Sequence, residues 1–272
     1  STRIGWRVEG GSEKMKAILH VMEHDLRNFV RYKFWIVGLI TMNLADLFIM
    51  AIVYTQMVRI DIVVDYFRFF SPGLTITGLF AAAFMIGREV NWEVRRSVSH
   101  YMLSLPIERW ELATGRILAG GVRGMVYMSP LLLTTFLFLG FPSPANLLII
   151  LGALFLLAAG TAGLSIAIAV STRSFEKFVT SRSVLYYLLF FCSTIFYPMR
   201  DPRFLDLIKN VMPQPLITFA QINPLSSGAD MIRSFLLGTP ALTLEMPMSI
   251  LIFSGVFATS AAVAYIKIME RE

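Results

Sequence analysis

Residues 146–170 read NLLIILGALFLLAAGTAGLSIAIAV, and this stretch decides the fold class. A bilayer core about 30 Å thick needs about 20 apolar residues of α-helix, each rising about 1.5 Å. The stretch is long enough to cross such a core and contains no charged side chain. In the whole chain, charged residues make up only 15%, against about 25% in soluble domains. The composition therefore predicts an integral membrane protein.

Five further apolar runs of similar length lie on either side of this stretch. The six predicted spans are 34–58, 69–87, 113–140, 146–170, 183–199 and 247–266. Helices satisfy all their backbone hydrogen bonds internally, as lipid requires. The predicted fold class is an all-α integral membrane protein with six transmembrane helices.

The positions of the Lys and Arg residues predict the orientation. With the amino terminus inside, the cytoplasmic side holds 17 of them, including Arg116 at the start of the third span, and the outer segments hold six. This bias follows the positive-inside rule. It predicts a multi-pass protein of the cell membrane (inner or plasma) with both termini in the cytoplasm. The basic charge is then explained by the membrane, so we expect lipid and no nucleic acid as a partner. The first 33 residues are polar and basic and do not resemble a cleavable signal.

Two segments outside the spans carry amphipathic patterns. In 1–33, apolar residues recur at helical spacing from Met15 to Val30 between basic residues. We expect a helix lying at the inner membrane surface, or alternatively one packed on a soluble partner. In 200–246, a short amphipathic helix before Pro213 and the apolar residues after it predict short re-entrant helices on the outer side, covered by protein.

Charged residues inside the predicted spans are costly unless they are paired or hydrated. Asp46 and Arg123 lie at matching depths in the first and third spans. We predict that they form an ion pair or face a polar cavity, with a structural and a transport role both open. Gly120 and Gly124 flank Arg123 and permit close helix approach, or make the span flexible.

The fifth predicted span carries an aromatic stripe of Tyr186, Phe190 and Tyr197. Such stripes stack on flat or amphipathic ligands, so these residues are candidates for a substrate path; helix packing is the alternative. His20 and His24 are four residues apart on the amino-terminal helix, but no third ligand is nearby, so we predict no metal site. No nucleophile with a base and an orienting group is visible, which predicts no catalytic residue.

A charged stretch, 88–112, lies between the second and third spans and is longer than a simple connection needs. Within it an apolar stripe runs on one helical face until Pro106 ends the helix. A second stretch, NPLSSGADMIRSFLLG at 223–238, follows the fifth span. Together these stretches resemble the two signature motifs of ABC (ATP-binding-cassette) type-2 permeases, although Ser97, Val98 and His100 depart from the usual pattern. The resemblance covers essentially the whole chain as one transmembrane domain, 1–272.

The resemblance implies a division of labour. A cytoplasmic coupling helix, formed in 88–112, docks on a separate nucleotide-binding ATPase subunit. The implied coupling residues are Glu89, Glu93, Arg95, Arg96, His100 and Pro106, and the second motif contributes Asn223, Pro224 and Arg233. The sequence contains no Gly-x4-Gly-Lys-Ser/Thr loop, so we expect no ATPase site and no bound cofactor in this chain, with ATP and Mg²⁺ held by the partner.

We therefore expect the permease subunit of an ABC exporter that moves an amphipathic or lipid-like molecule, such as a drug or a lipid, outward. The family implies that the path forms between two permease copies, in a homodimer or a pseudo-dimer. An exporter of polysaccharide or lipid-linked glycan is the alternative cargo class. An ion-coupled secondary transporter fits less well, because inverted repeats are not visible in the sequence.

Overall fold

A computed structural model describes residues 11–31, 33–57, 65–95, 108–172 and 174–269. Within these ranges the chain is helical and contains no β-strand. The first five helices are α1 (Gly11–Arg31), α2 (Lys33–Met57), α3 (Tyr66–Phe84), α4 (Ile86–Arg95) and α5 (Arg109–Leu139). The remaining six are α6 (Pro144–Ser171), α7 (Phe175–Phe191), α8 (Pro202–Ile208), α9 (Gln214–Ile222), α10 (Pro224–Leu237) and α11 (Glu245–Met269).

Helix α3 forms the centre of the bundle. Every residue from Phe70 to Phe80 is buried, including Pro72 within the helix. The helix packs on α5 and on α6, α2 and α10. Its first turn is capped by Asp65, whose carboxylate accepts a hydrogen bond from the Arg68 amide. A turn at Met85 then separates α3 from α4.

Small residues bring the long helices into close contact. A Cβ atom placed on Gly120 of α5 would lie 2.4 Å from the Cβ of Ala162 on α6, and one on Gly124 would lie 2.9 Å from that of Ala158. On the other side of α6, Gly160 and Gly163 meet the α11 backbone in the same way. The predicted close approach at Gly120 and Gly124 is confirmed.

Four helical segments in the described part of the chain are long and apolar enough to cross a membrane. They are Tyr66–Arg95, Arg109–Leu139, Pro144–Ser171 and Glu245–Lys267, and they coincide with four of the six predicted spans. Helix α2 covers nearly the same residues as the predicted first span, 34–58. Its segment Ile36–Ile49 forms a pair with Lys14–Arg31 of α1 that would count as a fifth span, bent by 73°.

The predicted fifth span, 183–199, is wrong as a continuous helix. Helix α7 begins earlier, at Phe175, and ends at Phe191, and residues 192–200 form turns. Ser193, Thr194 and Ile195 are nevertheless buried. Polar side chains of the following helices form hydrogen bonds with the backbone of this segment, so its buried backbone groups are satisfied without a helix.

Between α7 and α11, three short helices occupy most of the segment 200–246. Helix α8 covers the predicted amphipathic helix, α9 begins just after Pro213, and α10 carries the Asn-Pro-Leu motif. Residues of α10 from Pro224 to Arg233 are all buried. The bundle therefore has two ends: an α4 end, where α1, α4 and the start of α5 meet, and an α10 end, where α3 begins and α7 ends.

Candidate functional site: buried ion pairs at the two ends of the bundle

At the α4 end, two acidic residues of α4 pair with two arginines of α5. Glu89 and Glu93 are four residues apart, so they share one face of α4. Arg116 and Arg123 are seven residues apart on α5, which is two helical turns and again one face. The two helices are thereby linked by two ion pairs.

The first pair joins Glu89 to Arg123. Nη1 of Arg123 lies 2.8 Å from both carboxylate oxygens of Glu89, and Nη2 donates to the backbone carbonyl of Asp25 on α1. The guanidinium also lies 5.1 Å from the ring centroid of Phe29. The Arg123 side chain is 1% exposed. Arg123 thus connects α1, α4 and α5.

The second pair joins Glu93 to Arg116 by a short hydrogen bond. Arg116 is buried, and it interacts electrostatically with Asp25 of α1 and Tyr265 of α11. Four helices therefore meet around this guanidinium. Breaking a buried pair by removing one partner costs about 3–5 kcal/mol, because the other charge is left uncompensated.

Of the two alternatives predicted for Asp46 and Arg123, an ion pair or a polar cavity, the ion pair is wrong. The carboxylate that contacts Arg123 belongs to Glu89, and Asp46 is half-buried on α2. Depth along the spans was the only basis for pairing the two residues. The turn at Met85 packs α4 on α6 in a position from which Glu89 reaches Arg123, and this placement, which depth does not reveal, supplies a nearer acid.

A neighbouring face of α4 is exposed. Arg88, Trp92 and Arg95 follow the spacing of one helical face, and Trp92 is 51% exposed. Arg95 lies 5.1 Å from the ring centroid of Phe175 at the start of α7. Among the predicted coupling residues, Glu89 and Glu93 face α5, whereas Arg95 is on the exposed face. Arg96, His100 and Pro106 lie outside the described residues.

The start of α5 is anchored to α1 on the same end. Glu108 precedes α5; its carboxylate lies 3.1 Å from Nζ of Lys14 and accepts a hydrogen bond from the Trp110 indole. The hydrogen bond from Trp110, which has the larger effect, and the contact with Lys14 together hold the pKa of the Glu108 carboxyl below its usual value. The backbone amide of Glu108 donates to Glu111 at 2.9 Å, which completes the helix start.

At the α10 end, Asn223 joins the ends of two helices. Its side-chain amide donates to the carbonyls of Leu189 and Cys192 at 2.7 and 2.6 Å, where α7 ends. Its side-chain oxygen accepts from the Leu225 amide at 2.9 Å, and Pro224 occupies the first turn of α10. A helix end leaves carbonyls and amides without helical partners. Asn223 supplies partners for both ends.

Arg233 satisfies the turn that follows α7. Its guanidinium donates to the carbonyls of Thr194 (2.9 Å), Ile195 (3.2 Å) and Phe69 (2.9 Å), the last of these on α3. It also pairs with Asp230 at 2.7 Å, and both side chains are almost fully buried. Irregular backbone is tolerated at membrane depth only where protein satisfies its polar groups. Arg233 performs this task for 194–195.

The predicted aromatic stripe is divided between two environments. Tyr186 stacks on Phe80 of α3, with ring centroids 4.9 Å apart, and on Phe190. Tyr197 lies beyond the end of α7, 48% exposed, and stacks on Phe204. The prediction that Tyr197 continues a stripe on the same helix is therefore wrong. Tyr187 and Phe191 form the exposed aromatic face of α7.

Comparison with known proteins defines the class. Residues 17–237 match the family model for ABC-2 type transporters, and the chain belongs to this family. It is a multi-pass membrane protein and a transporter permease subunit, of a kind that associates with ATP-binding subunits.

One similar protein is the daunorubicin resistance ABC transporter permease protein DrrB1 of Streptomyces coeruleorubidus. The two are 26% identical over 233 residues, which span 82% of this chain and 77% of the relative.

Two features of the site were not found in the sequence. The pairing of Glu89 and Glu93 with Arg123 and Arg116 was missed, although the four- and seven-residue spacings place each pair of like charges on one helix face. The buried position of Asp25 was also missed. Its place near the apolar residues of α1 was the available signal.

Proposed function

We propose that this chain is the membrane-spanning half of an ABC exporter that moves an amphipathic molecule outward. ATP and Mg²⁺ are held by separate nucleotide-binding subunits, and two permease copies form the path. The observation that carries the proposal is the double ion pair that fixes α4 to α5. A push on α4 from a partner then moves a long helix of the bundle.

The exposed face of α4 is the docking surface in this proposal. Arg88, Trp92 and Arg95 contact the ATPase subunit. Arg96, His100 and Pro106, outside the described residues, belong to the same coupling segment by resemblance to the family. Glu89 and Glu93 act as the transmitting residues, because their carboxylates already contact α5. Coupling thus depends on two sets of α4 residues with different tasks.

Rigidity of the junction follows from burial. Separating α4 from α5 would leave Arg123, 1% exposed, and Arg116, 3% exposed, without their carboxylates. Loss of the Glu93–Arg116 pair, in which Glu93 is 15% exposed, costs several kcal/mol. Loss of the Glu89–Arg123 pair costs less, because Glu89 is 42% exposed and water screens its charge. Sliding or tilting both helices together keeps the pairs intact. A displacement imposed on α4 therefore passes to α5.

We propose that the α4 end faces the cytoplasm and that the chain crosses the cell membrane six times, with both termini inside. The 73° bend between α1 and α2 supports α1 lying in the membrane surface while α2 crosses it. Met15, Leu19 and Val30 of α1 are exposed and suit the headgroup region. Helix α7 and the turns after it then make up the fifth crossing, and the short helices α8–α10 lie in the outer half as re-entrant segments.

For the cargo, the name of the relative suggests a flat, amphipathic drug. Helix α7 supports this assignment, because Tyr187 and Phe191 expose aromatic surface while Tyr186 and Phe190 line its packed side. We place the substrate path along α7, with the exposed rings of Tyr187, Phe191 and Tyr197 at its wall and a second permease copy opposite. Tyr186 and Phe190 pack behind this wall and support it. Daunorubicin is the first probe to use.

The experiment removes one of the two ion pairs that join α4 to α5, Glu93–Arg116, and keeps the other, Glu89–Arg123. The double variant Glu93→Leu with Arg116→Met replaces the pair by apolar side chains, a change that is often neutral for stability. The complex is reconstituted in vesicles with its ATP-binding subunit, and ATP hydrolysis and daunorubicin transport are measured together. We expect assembly and ATP hydrolysis to persist while transport per ATP falls about tenfold or more.

A matched control removes an exposed ion pair at the other end. Asp206→Leu with Lys209→Met deletes a pair whose side chains are 74% and 58% exposed, and we expect no change in transport per ATP. Full coupling in the folded Glu93→Leu/Arg116→Met complex would refute the role of the Glu93–Arg116 pair. Transport driven by an ion gradient without ATP would refute the proposed class.

A further inference from the structure

A cavity of about 740 Å³ opens at the α10 end of the molecule. Four arginines line it: Arg68, Arg200, Arg203 and Arg233. Its volume lies in the range of small-molecule sites, about 300–1,000 Å³. Neither the transport path along α7 nor the coupling junction uses this cavity.

The floor of the cavity holds two guanidiniums around one carboxylate. Asp230 lies 2.7 Å from Nη1 of Arg233 and 3.0 Å from Nε of Arg200. Arg233 and Asp230 are almost fully buried, and the Arg200 side chain is 14% exposed. One carboxylate neutralises one of these two charges, so the floor carries an excess of one positive charge.

The carboxylate of Glu245 neutralises the remaining positive charge of Arg200 only weakly. Glu245 approaches Nη1 of Arg200 to 3.9 Å, beyond hydrogen-bond distance, and its side chain is 82% exposed. An ion pair in contact with water is worth at most about 1 kcal/mol. An anion other than Asp230 that reaches the floor is therefore attracted by the partly neutralised charge of Arg200.

The mouth of the cavity holds two further arginines with neighbouring acids. Asp201 accepts hydrogen bonds from Arg203 at 3.2 and 2.9 Å, which fixes the guanidinium and lowers the pKa of Asp201. Arg68 lies 3.4 Å from Asp65. That distance exceeds the roughly 2.7–2.9 Å of a tight charge-assisted hydrogen bond, so a stronger acceptor competes well for Arg68.

We propose that this cavity binds a phosphate group, carried by a phospholipid headgroup or free in solution. The planar fork of arginine donors matches phosphate oxygens better than any other side chain. Apolar lining residues, among them Phe69, Leu237 and Pro240, lie beside the arginines. They provide a surface for the glycerol and first methylenes of a lipid.

The test uses the purified full-length chain and three probes. Short-chain phosphatidylglycerol, diacylglycerol with the same acyl chains and inorganic phosphate are titrated, and the dissociation constants are measured. We expect phosphatidylglycerol to bind and diacylglycerol to bind at least tenfold more weakly. Inorganic phosphate that binds as tightly as phosphatidylglycerol identifies the free ion as the source; weaker inorganic phosphate binding identifies the lipid.

Two variants change the affinity in opposite directions. Glu245→Gln removes the competing acid and should tighten binding about threefold, whereas Arg200→Gln should weaken it about tenfold or more. Lys209→Gln removes a positive charge at the same end but outside the cavity, and should leave binding unchanged.

If Arg200→Gln fails to fold, Arg68→Gln with Arg203→Gln tests the exposed mouth instead, with the same loss expected. Equal binding of diacylglycerol, or affinities that do not respond to Glu245→Gln and the arginine variants, would overturn the proposal. The transport assay reports separately, so failure here leaves the exporter assignment standing.

Discussion

Asn223 determines how two helices end and begin. Its one amide group donates to two carbonyls of α7 and accepts from an amide of α10. The residue is 1% exposed, so water does not replace these bonds. An unsatisfied buried polar group costs about 1–3 kcal/mol. The motif Asn-Pro-Leu is therefore a structural requirement at this position.

We predict that Asn223→Ala lowers the free energy of unfolding by about 3 kcal/mol, because two carbonyls and one amide lose their partners. Asn223→Asp keeps the acceptor for Leu225 but loses both donors, and should also be destabilised. Thermal unfolding of the purified protein measures the effect. Asn210→Ala, at an exposed turn, is the control and should change nothing. A stable Asn223→Ala protein would contradict this role.

Arg233 and Arg123 illustrate what a buried arginine does in this bundle. Each holds one carboxylate and at least one backbone carbonyl of another element. Arg233 was identified by resemblance and Arg123 by its depth, but their partners were not predictable. A partner depends on which helix lies alongside, and hydrophobic pattern alone does not define helix neighbours.

At the scale of elements, the contact between α5 and α6 depends on two glycines. Gly120 and Gly124 face Ala162 and Ala158 at distances that leave no room for a side chain. Close approach increases van der Waals contact, which drives helix association where lipid removes the hydrophobic effect. The same contact holds Arg123 against α4 and α1.

We predict that Gly120→Val destabilises the protein by about 2 kcal/mol, since its Cβ would overlap Ala162 and force the helices apart. Gly152→Val on α6 is the matched control. A Cβ there meets nothing within 4 Å, so stability should stay equal or rise slightly. Thermal unfolding in the same detergent compares them. Equal loss in both variants would indicate a propensity effect rather than packing.

The helices were predictable from the sequence to different degrees. Apolar length located α3, α5, α6 and α11, because each is a continuous run long enough to cross lipid. The end of α7 was not predictable, because residues 192–199 are mostly apolar and continue the apolar run of the helix. Their backbone groups are instead hydrogen-bonded by the side chains of Asn223, Ser226 and Arg233. Long-range side-chain bonds leave no periodic trace in the sequence.

At the scale of the whole molecule, charge is gathered at the two ends and the middle is apolar. The α4 end holds the pairs that join α4 to α5, and the α10 end holds the arginine-lined cavity. Helix α3 begins at one end and leads into α4 at the other. A displacement at α4 therefore has three direct routes into the bundle, through the packing on α6, through the ion pairs to α5 and through α3.

Site-specific crosslinking to the ATP-binding subunit shows which end of the bundle docks on that subunit. On a Cys192→Ser background, Trp92→Cys places a thiol on the exposed face of α4, and Val211→Cys places one at the α10 end, where Val211 is 85% exposed. If α4 docks on the ATP-binding subunit, we expect the assembled complex to show a crosslink from position 92 and none from position 211. A crosslink from position 211 with none from position 92 would contradict it.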